Sequence, residues 1–384
     1  ADSERRFMRQ ATSETRSVKR LAVIAPDAAS ILRQRGELLT GVLARRHSVL
    51  ALVPEQSRDA LPALNECGFA ATTFPMSSTE PHLFADGKTI AAISAALAEW
   101  RAHVVLATGA KTMLIGAIAA KKAGVSRRVG LVTTLPTALS ANAAIPWGWR
   151  RLMKVGLRSM DALVCHNEDQ RARLKALGFL PPIVEAAVVA GAGVDLARNA
   201  AQPLPPLVAN GVTALNFLMI ARKDTAKGVV EFCEAARLVR DKAPDTRFIL
   251  AGPDGDIAGQ VLGGYSDSVQ MLGDQADVRP LIGAAHVVVV PSWSEGMPRI
   301  LLEALAAGRP VIASDIAGCR EAVDERVNGV LVTPREASAL AEAMMSFLKR
   351  PDLIPAMARA SRTKAERRFD VMAVNAKLLE VLGL

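Results

Sequence analysis

Twice along this chain, short runs of Val, Ile, Leu and Ala alternate with longer stretches of helical periodicity, and a proline-rich segment separates the two series. Apolar runs this short, bounded by turn residues, read as strands covered on both faces. The first series predicts strands at 20–25, 48–53, 70–74, 103–107, 129–133 and 162–165, with helices that include 31–45, 85–101 and 112–122. The second predicts strands at 216–221, 247–251, 268–272, 287–290, 311–314 and 329–332, with helices that include 228–241, 298–307 and 337–348. Such alternation builds parallel sheets with crossover helices. The fold class is therefore α/β, with two doubly wound, Rossmann-like domains at 20–200 and 213–358, a linker at 201–212 and a cleft between. Ligands of such sheets bind beyond the carboxyl ends of the strands, so the cleft is the expected site. Residues 1–19 form a basic extension, and 359–384 a last helical segment.

Composition narrows the function. The 384 residues suffice for two α/β domains, and half of them are apolar. Cys67, Cys165, Cys233 and Cys319 lie far apart with no C-x-x-C spacing, which argues against zinc ribbons and disulfide frameworks and suits a reducing cytosol. No apolar run reaches the ~18 residues of a membrane-spanning helix, and the polar first twenty residues lack the apolar core of a secretory signal. Residues 1–200 carry 26 Lys and Arg against 16 Asp and Glu, whereas 201–384 carry 21 against 22, so the net charge of +9 belongs to the first half. A basic half suits nucleic acid, anionic lipid or a phosphorylated substrate. A single Tyr and the lack of an RNP-like aromatic pattern argue against nucleic acid.

The densest chemistry lies in V-P-S-W-S-E-G-M-P-R-I-L-L-E-A-L-A-A-G-R-P-V-I-A, which begins at Val290. Glu295 falls in the loop after a Val-rich strand, and Glu303 inside an apolar helix that begins at Pro298 and stops at Gly308 and Pro310. Ile300, Leu301, Leu302, Ala304, Leu305 and Ala306 leave that helix almost no polar face, so it should be packed all round. A carboxylate at Glu303 must then find partners. Backbone N–H groups near Gly296, Met297 and Pro298 make a positive helix end suited to phosphate. Two carboxylates for hydroxyls beside backbone donors for a diphosphate meet the needs of a nucleotide-sugar site.

This segment resembles the E-x7-E signature of the retaining family 4 glycosyltransferases, which have the two-domain GT-B fold; in that fold the last helix often returns to the first domain, which the resemblance implies for 359–384. The resemblance makes Glu295 the carboxylate that contacts the donor sugar and Glu303 the ligand of the ribose hydroxyls. Arg222, past a strand end, and Lys227, at a helix start, put two cations where a diphosphate would be neutralised. They resemble the family's Arg…Lys-Gly diphosphate clamp. Lys223 and Asp224 between them are expected to face solvent. Gly252 and Pro253, in A-G-P-D-G, match a loop that the family places near the nucleotide; a plain strand-to-loop turn is the other reading. Ser292, Trp293 and Ser294 shape the loop before Glu295, and Cys319 packs.

The first half matches more loosely. Arg35 aligns with the Arg of the F-R-x-x-L opening seen in bacterial polysaccharide transferases of this family, and Lys111 with their T-x-K segment, so Arg35 and Lys111 are acceptor candidates. Lys111 would reach an acceptor phosphate or only solvent. Asn167, in N-E-D, reads as a helix cap, and His47 as a cap of its helix-to-strand turn. His82, His103 and His166 read as ordinary polar residues. Thr133 stands where relatives commonly have a sugar-contacting His. The stretch from Ile145 to Arg158 sets two Trp among Arg150, Arg151, Lys154 and Arg158, a composition suited to an anionic bilayer surface.

The resemblance implies transfer of a hexose-type sugar, with retention and without a metal, from a UDP- or GDP-linked donor to a polyprenyl-diphosphate-linked saccharide. Exopolysaccharide, O-antigen or other lipid-linked glycans would be the products, made at the cytoplasmic face of the plasma membrane. No cofactor is expected, and no D-x-D metal signature stands at a strand end. Thr133 keeps open a non-catalytic GT-B protein that only binds nucleotide sugar, and the E-G-M-P-R…E signature disfavours an epimerase on the same fold.

Overall fold

A computed structural model describes residues 18–76, 80–133, 145–209 and 212–384. Most of the basic extension, 1–17, lies outside the described residues, as do 210–211 of the linker.

Two parallel sheets carry the fold. The first contains β1 (Arg20–Ile24), β2 (Ser48–Pro54), β3 (Ala70–Phe74), β4 (Val104–Thr108), β5 (Arg127–Val132), β6 (Ala162–Cys165) and β7 (Glu185–Val188), in the order β3-β2-β1-β4-β5-β6-β7. Sequence patterning misses β7, because Glu-Ala-Ala-Val is short, only partly buried and at the sheet edge. Two short strands in the linker, β8 (Val208–Ala209) and β9 (Val212–Thr213), pair antiparallel. The second sheet contains β10 (Asn216–Ile220), β11 (Arg247–Ala251), β12 (Gln270–Leu272), β13 (Val287–Val290), β14 (Val311–Ser314) and β15 (Gly329–Val332), in the order β12-β11-β10-β13-β14-β15.

Each sheet has an apolar layer on both faces, which is why its strands are apolar throughout rather than alternating. Chain order reverses direction between β1 and β4 and again between β10 and β13. At such a switch point the following loops part to opposite faces and leave a crevice.

The chain returns to its first domain at the end, eleven residues later than the sequence suggests (370 rather than 359). Helix Ile354–Arg368 still belongs to the second domain, where Ala365 and Phe369 pack with Leu301 and Leu305. The crossing falls at Asp370: the Val194 N–H donates to the Phe369 carbonyl (2.7 Å) and the Val371 N–H to the Val194 carbonyl (3.1 Å). Asp370 caps helix Val371–Leu382, whose Val374, Leu378 and Leu382 enter the core around β1. Arg309 fastens the linker. Fully buried, it donates to the carbonyls of Gln202 and Pro203 and to those of Ile282, Ala307, Gly308 and Gly283. Burial lowers its guanidinium to about 10, so it stays charged near neutrality.

Candidate functional site

The loops after β10 and β13 meet at the switch point of the second sheet. Trp293 stitches them: its backbone N–H donates to the Ala226 carbonyl (2.9 Å) and its Nε1 to Glu231 (2.8 Å). The Arg335 guanidinium covers its ring at 4.3 Å, a cation–π contact. Gly228 lets the turn Thr225–Lys227 close against β13. It has a left-handed φ of 75°, and a Cβ there would strike the Pro291 carbonyl.

That closure brings together Lys227 and Glu295, whose Nζ and Oε1 lie 2.5 Å apart with the carboxylate side chain 15% exposed. Arg222 is held from behind, its Nε donating to Asp224 (2.5 Å), while the rest of the side chain is exposed. Lys223 and Asp224 do not face solvent as expected. Asp224 is buried under Arg222 and accepts the Asp256 N–H (3.2 Å), and Lys223 pairs with Asp254 (2.8 Å). Three cations within six residues need nearby carboxylates in a loop this closed.

The helix carrying Glu303 runs Arg299–Ala306, with Pro298 as its cap in an extended conformation (ψ 121°) rather than as its first helical residue. The donors heading it are consequently the N–H groups of Arg299 and Ile300, since proline has none. Nor is the helix packed all round. Leu301, Leu302, Ala304, Leu305 and Ala306 are buried, but Arg299 is exposed and Glu303 lies on the same edge, bonded to Arg299 Nε at 2.8 Å. That edge opens on the cleft, where burying two charges would cost more than it gains.

Two adjoining cavities fill the cleft, and both halves of the chain line each. One, of about 400 Å³, takes Arg222, Lys227, Glu295, Gly296, Met297 and Pro298 from the second domain and Arg33, Thr133 and His166 from the first. The other, of about 1190 Å³, takes Glu303, Asp277 and Arg279 opposite Glu37, Arg198 and Asn375. Arg299 and Ile300 line both. Burial and then Asp195 raise the Glu37 carboxyl in the larger cavity.

Gly252 and Pro253 line neither cavity. A Cβ on Gly252 would fall on the Ala221 carbonyl, and the Pro253 carbonyl accepts the Lys223 N–H (3.0 Å), so the pair supports the Arg222 loop from behind. Lys111 is not poised for an acceptor phosphate. It is buried, with Nζ 2.6 Å from Asp86 and 2.6 Å from the Glu80 carbonyl, because an ammonium out of water needs such partners. Arg35 is likewise buried behind the cavity wall rather than lining it.

The first domain presses on the E-G step. The Thr133 carbonyl lies so near Gly296 that a Cβ there would overlap it. Asn167 caps helix Glu168–Ala176 through the Gln170 N–H (2.8 Å), and its Nδ2 donates to the Gly296 carbonyl (2.8 Å). His166, which the sequence suggests is an ordinary polar residue, is buried in the cavity wall with Nε2 3.0 Å from Arg35 Nη2. Burial, and then the Arg35 charge, push its imidazole down to about 3. Its only sequence signal is its place before the N-E-D segment.

A fold of two facing doubly wound sheets, with carboxylates and cations at their opposed strand ends, is the GT-B architecture. Residues 214–350 match the family model "Glycosyl transferases group 1", and residues 31–192 match "Glycosyl transferase 4-like domain". The chain belongs to the GT-B glycosyltransferases, with a 4-like first domain and a group 1 second domain. It is similar to the N,N'-diacetylbacillosaminyl-diphospho-undecaprenol alpha-1,3-N-acetylgalactosaminyltransferase of Campylobacter jejuni, 24% identical over 86% of this chain and 89% of the relative. It is also similar to the UDP-Gal:alpha-D-GlcNAc-diphosphoundecaprenol alpha-1,3-galactosyltransferase of Escherichia coli, 25% identical over 76% and 77% of the two chains. Among solved structures, Anabaena HepE in complex with UDP superposes with a TM-score of 0.74 at 19% identity, covering 95% of this chain and 100% of that one.

Proposed function

We propose that this chain transfers a hexose-type sugar, with retention and without a metal, from a UDP- or GDP-linked donor to a saccharide carried on a polyprenyl diphosphate. The observation that carries this reading is the Lys227–Glu295 pair beside Arg222, in a cavity closed by the first domain. Glu295 would hold the sugar hydroxyls. Arg222, Lys227 and the N–H groups heading the Glu303 helix would take the charge that develops on the leaving diphosphate. Glu303 would hold the ribose in the adjoining cavity. The two relatives named above act on undecaprenyl-diphosphate-linked sugars, which supports the acceptor class.

The acceptor lipid implies work at a membrane surface. No helix among the described residues is long and apolar enough to cross a bilayer. Helix Trp147–Leu157 instead buries Trp149, Met153 and Leu157 and exposes Trp147, Arg150, Arg151, Lys154 and Val155. An exposed Trp and Val among cations suit an anionic membrane, here the inner face of the plasma membrane.

The test is release of nucleoside diphosphate from a panel of nucleotide sugars, with and without a polyprenyl-diphosphate-linked acceptor. Acceptor-dependent release is expected. Binding of a nucleotide sugar without any turnover would instead establish the binding-protein reading that Thr133 motivates.

A further inference from the structure

Asn167 holds two domains with one side chain. It lies two residues past β6, is 1% exposed, and uses both ends of its carboxamide. Oδ1 accepts the Gln170 N–H (2.8 Å), and Nδ2 donates to the Gly296 carbonyl (2.8 Å). A donor facing one end and an acceptor facing the other fix which end is oxygen and which nitrogen. The first bond caps helix Glu168–Ala176, and Asp or Ser would cap it about as well. The second does nothing for that helix. It crosses to the other domain, 129 residues away in sequence, and needs a donor that a capping Asp lacks.

The Glu295–Gly296 step it reaches is enclosed from both domains. On the first-domain side the Thr133 carbonyl occupies the place of a Gly296 Cβ, with Gln170 Nε2 beside it. On the other side, a Cβ on Gly318, in helix Ala317–Arg320, would strike the carbonyls of Glu295 and Gly296. These contacts limit how far the step can move, but a hydrogen bond also sets its direction. A planar peptide turns as one unit, so holding the Gly296 carbonyl fixes the Gly296–Met297 peptide that follows Glu295. Arg222 and Lys227 differ in this respect. Their side chains bond Asp224 and Glu295, both in the second domain.

We infer, on the sugar-transfer reading of this cavity, that Asn167 is a positioning residue acting across the cleft. It orients the Glu295–Gly296 step while the first domain is closed on it. The carboxylate assigned to the sugar therefore depends on the first domain, whereas the diphosphate clamp does not. Loss of the Asn167 bond should impair turnover and leave nucleoside diphosphate binding in place.

The experiment compares wild type with Asn167→Asp, Asn167→Ser, Asn167→Ala and Asp169→Ala. The readouts are the urea midpoint, nucleoside diphosphate affinity by calorimetry, and kcat/KM for the nucleotide sugar. Asn167→Asp and Asn167→Ser keep the cap and should keep the urea midpoint. Both should lose about tenfold in kcat/KM, the effect of leaving one buried carbonyl unmet. The Asp variant should lose more than the Ser variant, because it sets a second oxygen against the Gly296 carbonyl. Nucleoside diphosphate affinity should stay within about twofold in both. Asn167→Ala also removes the cap and should lose stability as well; if it misfolds, the Asp and Ser variants carry the test. Asp169→Ala removes only an exposed interdomain charge pair, with Arg320 at 3.7 Å, and should stay near wild type. Wild-type turnover in the Asp and Ser variants overturns the inference, as does a loss of nucleoside diphosphate affinity equal to the loss of kcat/KM. An equal loss in Asp169→Ala overturns it too, since any loosening of the interface would then suffice. A wild-type protein that neither binds a nucleoside diphosphate nor turns over a nucleotide sugar overturns the function itself, and this inference with it.

Discussion

Lys227 and Glu295, 68 residues apart in sequence, form an ion pair 2.5 Å long in the lining of the smaller cavity. Each thus holds the other in place, and under the proposed function a diphosphate would take the ammonium and free the carboxylate for the sugar.

The first prediction follows from that exchange. Lys227→Ala and Arg222→Ala should each lower turnover on the order of 10²–10³, because both act on charge that develops during bond breaking. Lys227→Arg should recover little, since a planar fork does not replace a compact charge. The control is the exposed Lys242, just past helix Val229–Arg240, because Lys223 is engaged by Asp254. Nucleoside diphosphate release is the assay, and loss of turnover in Lys242→Ala would show the effect is not local to the clamp.

Glu303→Ala should weaken binding of the nucleoside diphosphate by about ten- to a hundredfold, the range for a hydrogen bond to a charged group. The substitution also frees Arg299 from its 2.8 Å bond, and Arg299 lines both cavities. Titration of an Arg299→Ala, Glu303→Ala double variant separates the two effects. If the double variant binds as wild type does, the ribose assignment is lost.

Arg309→Leu should lower stability on the order of 3 kcal/mol, since it removes a buried guanidinium that bonds six carbonyls; those of Ile282 and Ala307 keep backbone N–H donors, while those of Gln202, Pro203, Gly283 and Gly308 lose the guanidinium. A drop in the urea midpoint is the measurement. An unchanged midpoint would mean that water takes over those carbonyls without loss.

Acid should weaken the fold through His166. Its pKa falls from 6.5 to about 3 on folding, through burial first and Arg35 second. Between those values the unfolded chain binds a proton that the folded chain does not. The contribution is therefore complete above about 6.5 and is lost as pH falls towards 3, at about 1.4 kcal/mol per pH unit. Urea unfolding at pH 7, 6 and 5 should show a decline shallower in His166→Asn than in wild type by about that slope. Parallel declines would mean that the imidazole is not held neutral.

At the membrane, the protein should sediment with anionic vesicles and come off as salt rises, because charge attraction at a surface is screened over about 8 Å at physiological ionic strength. Replacing Arg150, Arg151 and Lys154 by Gln should weaken this binding, and Trp147→Ala should weaken what remains at high salt. Equal binding to neutral and anionic vesicles would exclude the patch.

The sequence by itself determined the two sheets, their strands to within a residue or two at most ends, and the E-G-M-P-R…E segment, because strand and helix periods are local and a βα unit carries its own turn chemistry. Even there it placed Pro298 one residue too far into the helix, since only backbone angles distinguish a cap from a first turn. Tertiary structure decided which side chains meet. Arg35 and Lys111 look alike in sequence, as cations on helices after first-domain strands. One is buried against His166, 131 residues away, and the other against Asp86. Strand order brings β1 and β6 to one cleft and sets Thr133 against Gly296. Contacts so distant in sequence depend on how whole sheets are ordered and faced, and no local pattern encodes that.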